Sequence, residues 1–129
     1  MHQFIHAWGA PIPDPCERYL KVEHDCEGYV ECVLRSKGFK IVTVDQHGYD
    51  IEAYYPSGMY YYFIEVKCGP AAKLSTYQRY FKTAVEVARE VGFNVLTDKG
   101  LELEPKFVTC QFDDKYRLIG DQSCKKLLR

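Results

Sequence analysis

Three side chains carry the strongest chemical signal in the sequence. Gly48-Tyr49-Asp50 is followed, after fourteen residues, by Glu65-Val66-Lys67. Both motifs belong to β-prone runs, Tyr49 to Tyr55 and Met59 to Lys67, and the Pro56-Ser57-Gly58 turn between the runs predicts an antiparallel hairpin. Residues two apart on a strand project from one face, so Glu65 and Lys67 share a face, and hairpin pairing brings Asp50 near them. Two carboxylates beside a lysine suit a hard divalent cation that keeps several waters. The lysine can orient, or help deprotonate, a water that attacks phosphorus while the cation offsets charge on the phosphate. The plainer alternative is a solvated strand end with a surface ion pair, which contributes little stability. Glu104-Pro105-Lys106 and Asp113-Asp114-Lys115 repeat the acid-x-lysine pattern without a long β-prone run behind it.

Further candidates flank this set. Glu23, Glu27 and Glu31 stand at i, i+4 and i+8 in a helical pattern, where like charges cost about 0.2–0.5 kcal/mol per pair. Glu27 borders the apolar stripe and can point toward a site, whereas Glu23 and Glu31 are expected to face solvent. Gln78 has two compatible readings. Ser75-Thr76-Tyr77-Gln78 fits a capping box, and the amide could equally hold a phosphate or the attacking water. Lys73, Arg79, Lys82 and Arg89 follow Lys67, so residues 67–89 hold five basic side chains and one acidic, enough to grip a phosphate backbone through charge. His47 could touch phosphate, or simply be exposed. Tyr60, Tyr61 and Tyr62 must alternate between faces, to pack or to stack on unpaired bases.

The elements that must position these residues follow from periodicity. Pro11, Pro13 and Pro15 favour an extended opening arm in which Phe4, Ile5 and Trp8 pack on the domain or on a second subunit. Apolar spacing predicts one helix from Cys16 to Lys37, stopped by Gly38. Three strands follow, Phe39 to Val44 and the two of the hairpin. Ser75 starts a second helix that Gly92 closes, and Phe93 to Thr97 is the fourth strand, parallel to a neighbour if the helix is a crossover. The tail adds strand candidates at Lys106 to Phe112 and Tyr116 to Ile119, then a short basic helix near Gln122 to Leu128. The reading is a single α/β domain over 1–129, with its core at about 16–97 and a C-terminal extension over 98–129.

The 129 residues suffice for one domain, and 47% hydrophobic with 27% charged residues excludes disorder. A net charge of −1 excludes a uniformly basic nucleic-acid binder, but it averages two unequal parts. Residues 1–65 carry 5 basic and 10 acidic side chains, and 66–129 carry 12 and 8. The N-terminus lacks a signal-peptide pattern and no apolar run is long enough to span a membrane, so the expectation is a cytoplasmic protein, in host cytoplasm if viral. None of the six cysteines forms a C-x2-C pair, which argues against a zinc ribbon or finger. They read either as small buried hydrophobes or as disulfides of the kind found in hyperthermophile proteins.

The arrangement resembles the PD-(D/E)XK nuclease superfamily over roughly Glu27 to Thr97. CEGYVECVLRSKGFKIV looks like the opening of archaeal Holliday junction resolvases, with Glu27 at the helix glutamate. GYD and FIEVK match the core motif at Asp50, Glu65 and Lys67, with Tyr49 in place of the motif's proline. LSTYQ resembles the helix glutamine of virus-type replication-repair nucleases, at Gln78. The resemblance implies a restriction-endonuclease-like αβββαβ core with a mixed sheet flanked by helices. It also implies Mg²⁺ or Mn²⁺ held by Asp50, Glu65, the Val66 carbonyl and Glu27, directly or through water. The implied activity is hydrolysis of DNA phosphodiesters, endonucleolytic ahead of exonucleolytic, with junction cutting by a homodimer as one form of it; the match does not separate a junction resolvase from a restriction-like endonuclease or an exonuclease. The alternative is a catalytically idle DNA-binding or assembly module of the same fold, since fold does not fix function.

Overall fold

A computed structural model describes residues 14–46 and 48–129. The opening arm with Phe4, Ile5 and Trp8, and His47, lie outside the described residues. The single helix expected from Cys16 to Lys37 is two helices, α1 (Glu17–Lys21) and α2 (Cys26–Ser36). His24 between them takes a left-handed φ of 55°, and Asp25 caps α2 by accepting the Gly28 N–H at 2.8 Å. The local capping chemistry outweighs the apolar spacing, and Val22, part of the expected stripe, is exposed. Glu23 therefore stands outside the helix that holds Glu27 and Glu31, and the three-glutamate ladder does not exist. Glu31 is instead paired with Arg35 at 2.8 Å.

After the stop at Gly38 come β1 (Lys40–Gln46), β2 (Tyr49–Tyr54) and β3 (Tyr60–Cys68), each antiparallel to the next. The hairpin across Pro56–Gly58 forms as its turn residues demand. Next are α3 (Thr76–Glu90), β4 (Val95–Leu96), β5 (Glu102–Phe112), β6 (Leu118–Ile119) and α4 (Gln122–Leu128). The result is a mixed six-stranded sheet in the order β1-β2-β3-β5-β4, with β6 also on β5, flanked by helices.

The expected parallel strand at Phe93 to Thr97 is corrected. Only Val95 and Leu96 pair there, and antiparallel to β5. β5 itself returns parallel to β3, with Glu65 opposite Thr109 and Lys67 opposite Gln111. Pro105, which made this stretch look unlike a strand, is tolerated because the Glu104 N–H already turns inward to Met59 O at 2.9 Å. The proline nitrogen then faces the open stretch of the edge between the short β4 and β6 pairings. The core consequently extends well past residue 97. Val108, Cys110 and Phe112 of β5 and Cys124 and Leu127 of α4 join Val30, Leu34, Ile51 and Ile64 in one buried cluster.

The two faces of the sheet are built differently. On the α2 and α4 face all six cysteines are paired, as Cys16–Cys32, Cys26–Cys68 and Cys110–Cys124, the disulfide alternative of the sequence. The opposite face is covered by α3, which starts on a complete Ser75–Gln78 capping box and buries only Val85 fully. Phe81 seats this helix through ring contacts of 4.9, 5.2 and 6.1 Å with Tyr49, Phe63 and Phe107. Gly48, at φ 87°, makes that seat possible, because a Cβ there would come 2.9 Å from the Phe81 Cβ.

Candidate active site

β2 and β3 bring Asp50, Glu65 and Lys67 to one end of the sheet, on the α3 face. Register explains it: Ile51 pairs with Ile64, so Asp50 lies beside Glu65, and alternation puts Lys67 on the same face. The ladder between β2 and β3 stops at Ile51, and the Val66 N–H donates to Asp50 Oδ2 at 2.7 Å. Asp50 is thereby fixed by the backbone of the motif it is meant to serve. Lys67 Nζ lies 3.4 Å from Glu65 Oε1, with both side chains largely buried.

Glu65 is 2% exposed, and its Oε2 is buried without a hydrogen-bond partner. Burial and the neighbouring Asp50 carboxylate push its pKa up to about 7, against the opposing pull of Lys67. A buried carboxylate oxygen with no partner is a site that a cation or a proton can satisfy. The side-chain donors present, the carboxylates of Asp50 and Glu65, are oxygen and fit a hard divalent ion.

The other expected residues are distributed as follows. Lys73 and Arg79 line a cavity of about 350 Å³ together with Lys67, Thr109 and Gln111. Lys82 does not join them; it lies beside Glu86 and Arg89 in a separate depression. Gln78 occupies its capping role, with Oε1 accepting the Ser75 N–H at 2.8 Å. Glu27 sits in the first turn of α2, on the side of the sheet away from α3, and is half-buried. Among the described residues no group of three or more His, Cys, Asp and Glu side chains is gathered closely enough to hold a metal.

Two residues at the site had not been singled out from the sequence. Glu52, on the same face as Asp50, accepts hydrogen bonds from the hydroxyls of Tyr49, at 2.6 Å, and Tyr61. Burial and this carboxylate raise the pKa of both phenols. Gln111 reaches across from β5, its Nε2 donating to the carbonyls of Gly69, Pro70 and Ala72 at 2.9–3.1 Å, and so ties down the loop that follows Lys67. Its signal lies only in the parallel register with Lys67, which sequence spacing does not show.

No protein-family model matches the chain, nor does any curated protein or solved structure. The functional reading therefore rests on the residues and their geometry.

Proposed function

We propose that the chain is a divalent-metal-dependent DNA nuclease, built on a restriction-endonuclease-like core, that hydrolyses phosphodiester bonds. The observation that carries this reading is the grouping of Asp50, Glu65 and Lys67 on one face of one sheet end, with Glu65 Oε2 buried and unpartnered. The order α2-β1-β2-β3-α3-β5, with the last strand parallel to β3, supports the proposed core. Asp50 and Glu65 would hold Mg²⁺ or Mn²⁺, with the Val66 carbonyl as a third donor. When bound, the ion supplies Lewis-acid polarisation of the phosphate and a more acidic water. Lys67, held against Glu65, positions the attacking water and offsets charge developing on the phosphate. Lys73 and Arg79 hold the flanking phosphates at the cavity beside it. Glu27 takes at most an outer role through water.

A homodimer belongs to the proposal, and exposed Val91, Phe93 and Leu96 beyond α3 offer apolar area for pairing. No helix of the described residues is long and apolar enough to cross a membrane. A cytoplasmic setting is compatible with three disulfides in hyperthermophiles, whose intracellular proteins are disulfide-rich.

The test is incubation with labelled single-stranded, duplex and four-way-junction DNA in Mg²⁺, Mn²⁺ or EDTA. Metal-dependent cutting should fall by about 10²–10³ in Lys67→Ala, the loss typical of one transition-state contact, and disappear in Asp50→Asn. Cutting that persists in EDTA, or in both variants, would overturn the assignment. DNA binding with no cutting of any substrate would favour the idle module.

A further inference from the structure

We infer that the chain carries a second nucleic-acid subsite, a cleft for unpaired nucleotides on the sheet face opposite Lys67. The inference deepens the nuclease reading by naming single-stranded DNA as the element recognised. The cleft, of about 790 Å³, lies between α1, the turn from β5 to β6, and α4. It is more than twice the size of the cavity beside Lys67.

Its chemistry is two-sided. Lys21, Lys115, Arg117 and Lys125 line it, against Glu17 as the one carboxylate side chain among its lining residues. Lys21 and Arg117 are held by exposed ion pairs with Glu17 at 3.2 Å and Asp113 at 2.9 Å. Lys115 and Lys125 enter no ion pair among the described residues, so their charge is free for an anion. Between these cations, the half-buried Tyr29, Leu118 and Leu128 offer an apolar floor. A ligand that is both anionic and flat matches that combination, and each nucleotide of a single strand is such a ligand. A duplex keeps its base faces inside the stack and cannot offer them.

The backbone supplies an independent observation. His24 and Tyr116 are the two non-glycine residues with positive φ among those described, at 55° and 60°. They lie 92 positions apart in the sequence, yet both line this cleft, and their rings stack at 4.5 Å and 10°. Such unfavourable backbone persists where the surroundings over-determine it, and it concentrates at ligand sites. Here the effect is to set a flat aromatic pair against a basic wall. Cys16–Cys32 anchors the segment leading into α1 to α2, and Cys110–Cys124 anchors α4 to β5, so the walls are covalently fixed.

The cleft adjoins the candidate active site. Cys68 pairs with Phe112, and the Gly69 N–H donates to Phe112 O at 2.7 Å, so one strand pair separates the two cavities. An unpaired strand crossing that rim places its next phosphates beside Lys67, Lys73 and Arg79.

The test is fluorescence anisotropy of a labelled oligothymidylate of about ten nucleotides, within the usual site size for such surfaces, in EDTA so that nothing is cut. The double variant Lys115→Glu, Lys125→Glu should weaken binding at least about tenfold and lower the salt slope by about 1.4, the loss of two phosphate contacts on a single strand. Tyr116→Gly keeps a backbone that glycine adopts freely and removes one ring. It should weaken oligothymidylate about fivefold or more while leaving competition by inorganic polyphosphate unchanged. Lys99→Glu, on an exposed turn remote from the cleft, is the charge control. Near-UV circular dichroism confirms that each variant is folded. Unchanged binding in the double variant, or an equal loss in Lys99→Glu, overturns the subsite. Normal oligothymidylate binding by Tyr116→Gly reduces it to a phosphate site and overturns the single-strand assignment. A chain that binds in this way but cuts nothing keeps the subsite and loses only the nuclease reading.

Discussion

The two faces of the sheet solve the same packing problem by different means. On one, α1, α2 and α4 are held by three disulfides and by a buried cluster that includes Val30, Leu34, Val108, Phe112 and Leu127. On the other, α3 fully buries one valine and rests on an aromatic cluster around Phe81. Asp50, Glu65 and Lys67 are on the second face, where no cross-link restrains the helix. Covalent restraint is thus concentrated behind the Asp50–Glu65–Lys67 group, and the face that carries it is closed by non-covalent contacts alone. The Cys26–Cys68 bridge joins the two regimes, since it fixes the end of the strand that carries Glu65 and Lys67.

Reduction should break this contrast most severely. Cross-links spanning 14, 16 and 42 positions are worth about 3–4 kcal/mol each on the chain-entropy account. Together they rival the whole net stability of a domain, about 5–15 kcal/mol. Thermal unfolding in excess dithiothreitol should lose tens of degrees, with the α2 and α4 layer losing amide protection first. If the melting temperature is unchanged by reduction, the first face is held by its apolar core alone.

The second face should respond to pH through Glu65. Glu65 is raised from 4.5 to about 7 by burial and by Asp50. The folded chain therefore holds a proton that the unfolded chain releases. Stability from this group is fully present below about pH 4.5 and is lost as pH rises through 7, at a cost on the order of 3 kcal/mol. Urea midpoints measured in EDTA between pH 4.5 and 8 should fall accordingly, and Glu65→Gln should flatten the profile. A wild-type profile as flat as the variant's would mean that the buried carboxylate is not strained.

A smaller effect is expected from the aromatic seat of α3. Phe81→Ala removes contacts to Tyr49, Phe63 and Phe107. The ring is only half-buried, so the loss should be about 2 kcal/mol, below the range for a fully buried phenylalanine. Hydrogen exchange should localise the change to α3, leaving α2 and α4 protected.

Much of this contrast could be read from residue order, and what could not has identifiable causes. The hairpin, its turn, and the Asp50–Glu65–Lys67 grouping follow from period-two alternation, which is local. The start of α3 at Ser75 is equally local, since it follows from the capping box. The break at His24 was hidden because an apolar spacing of three and four runs through Val22, and only the Asp25 cap reveals that the helix restarts. β5 was underweighted because Pro105 reads as a breaker, although an edge position leaves its missing N–H without consequence. The same misplacement put the parallel strand at Phe93 to Thr97, and with it went the roles of Gln111 and Thr109, which depend on a non-local register. Glu27 followed from its place beside the apolar stripe and from the family resemblance, and the helix that carries it, α2, packs on the sheet face away from α3.

Gln78 offers the smallest and sharpest comparison, because one side chain stands where fold and function meet. Its Oε1 accepts the Ser75 N–H while its own N–H donates to Ser75 Oγ at 3.1 Å, so the capping box is complete. Gln78→Ala should cost about 1 kcal/mol, the usual worth of such a cap. Gln78→Glu keeps the box, since glutamate serves at that position, and its charge suits a helix start. A residue that only caps will therefore show normal stability and normal DNA affinity as glutamate. A residue whose free amide also faces a phosphate will stay stable but bind DNA several-fold more weakly, because a carboxylate then opposes the backbone charge beside Lys73 and Arg79. Urea denaturation and anisotropy on the same two variants separate these outcomes.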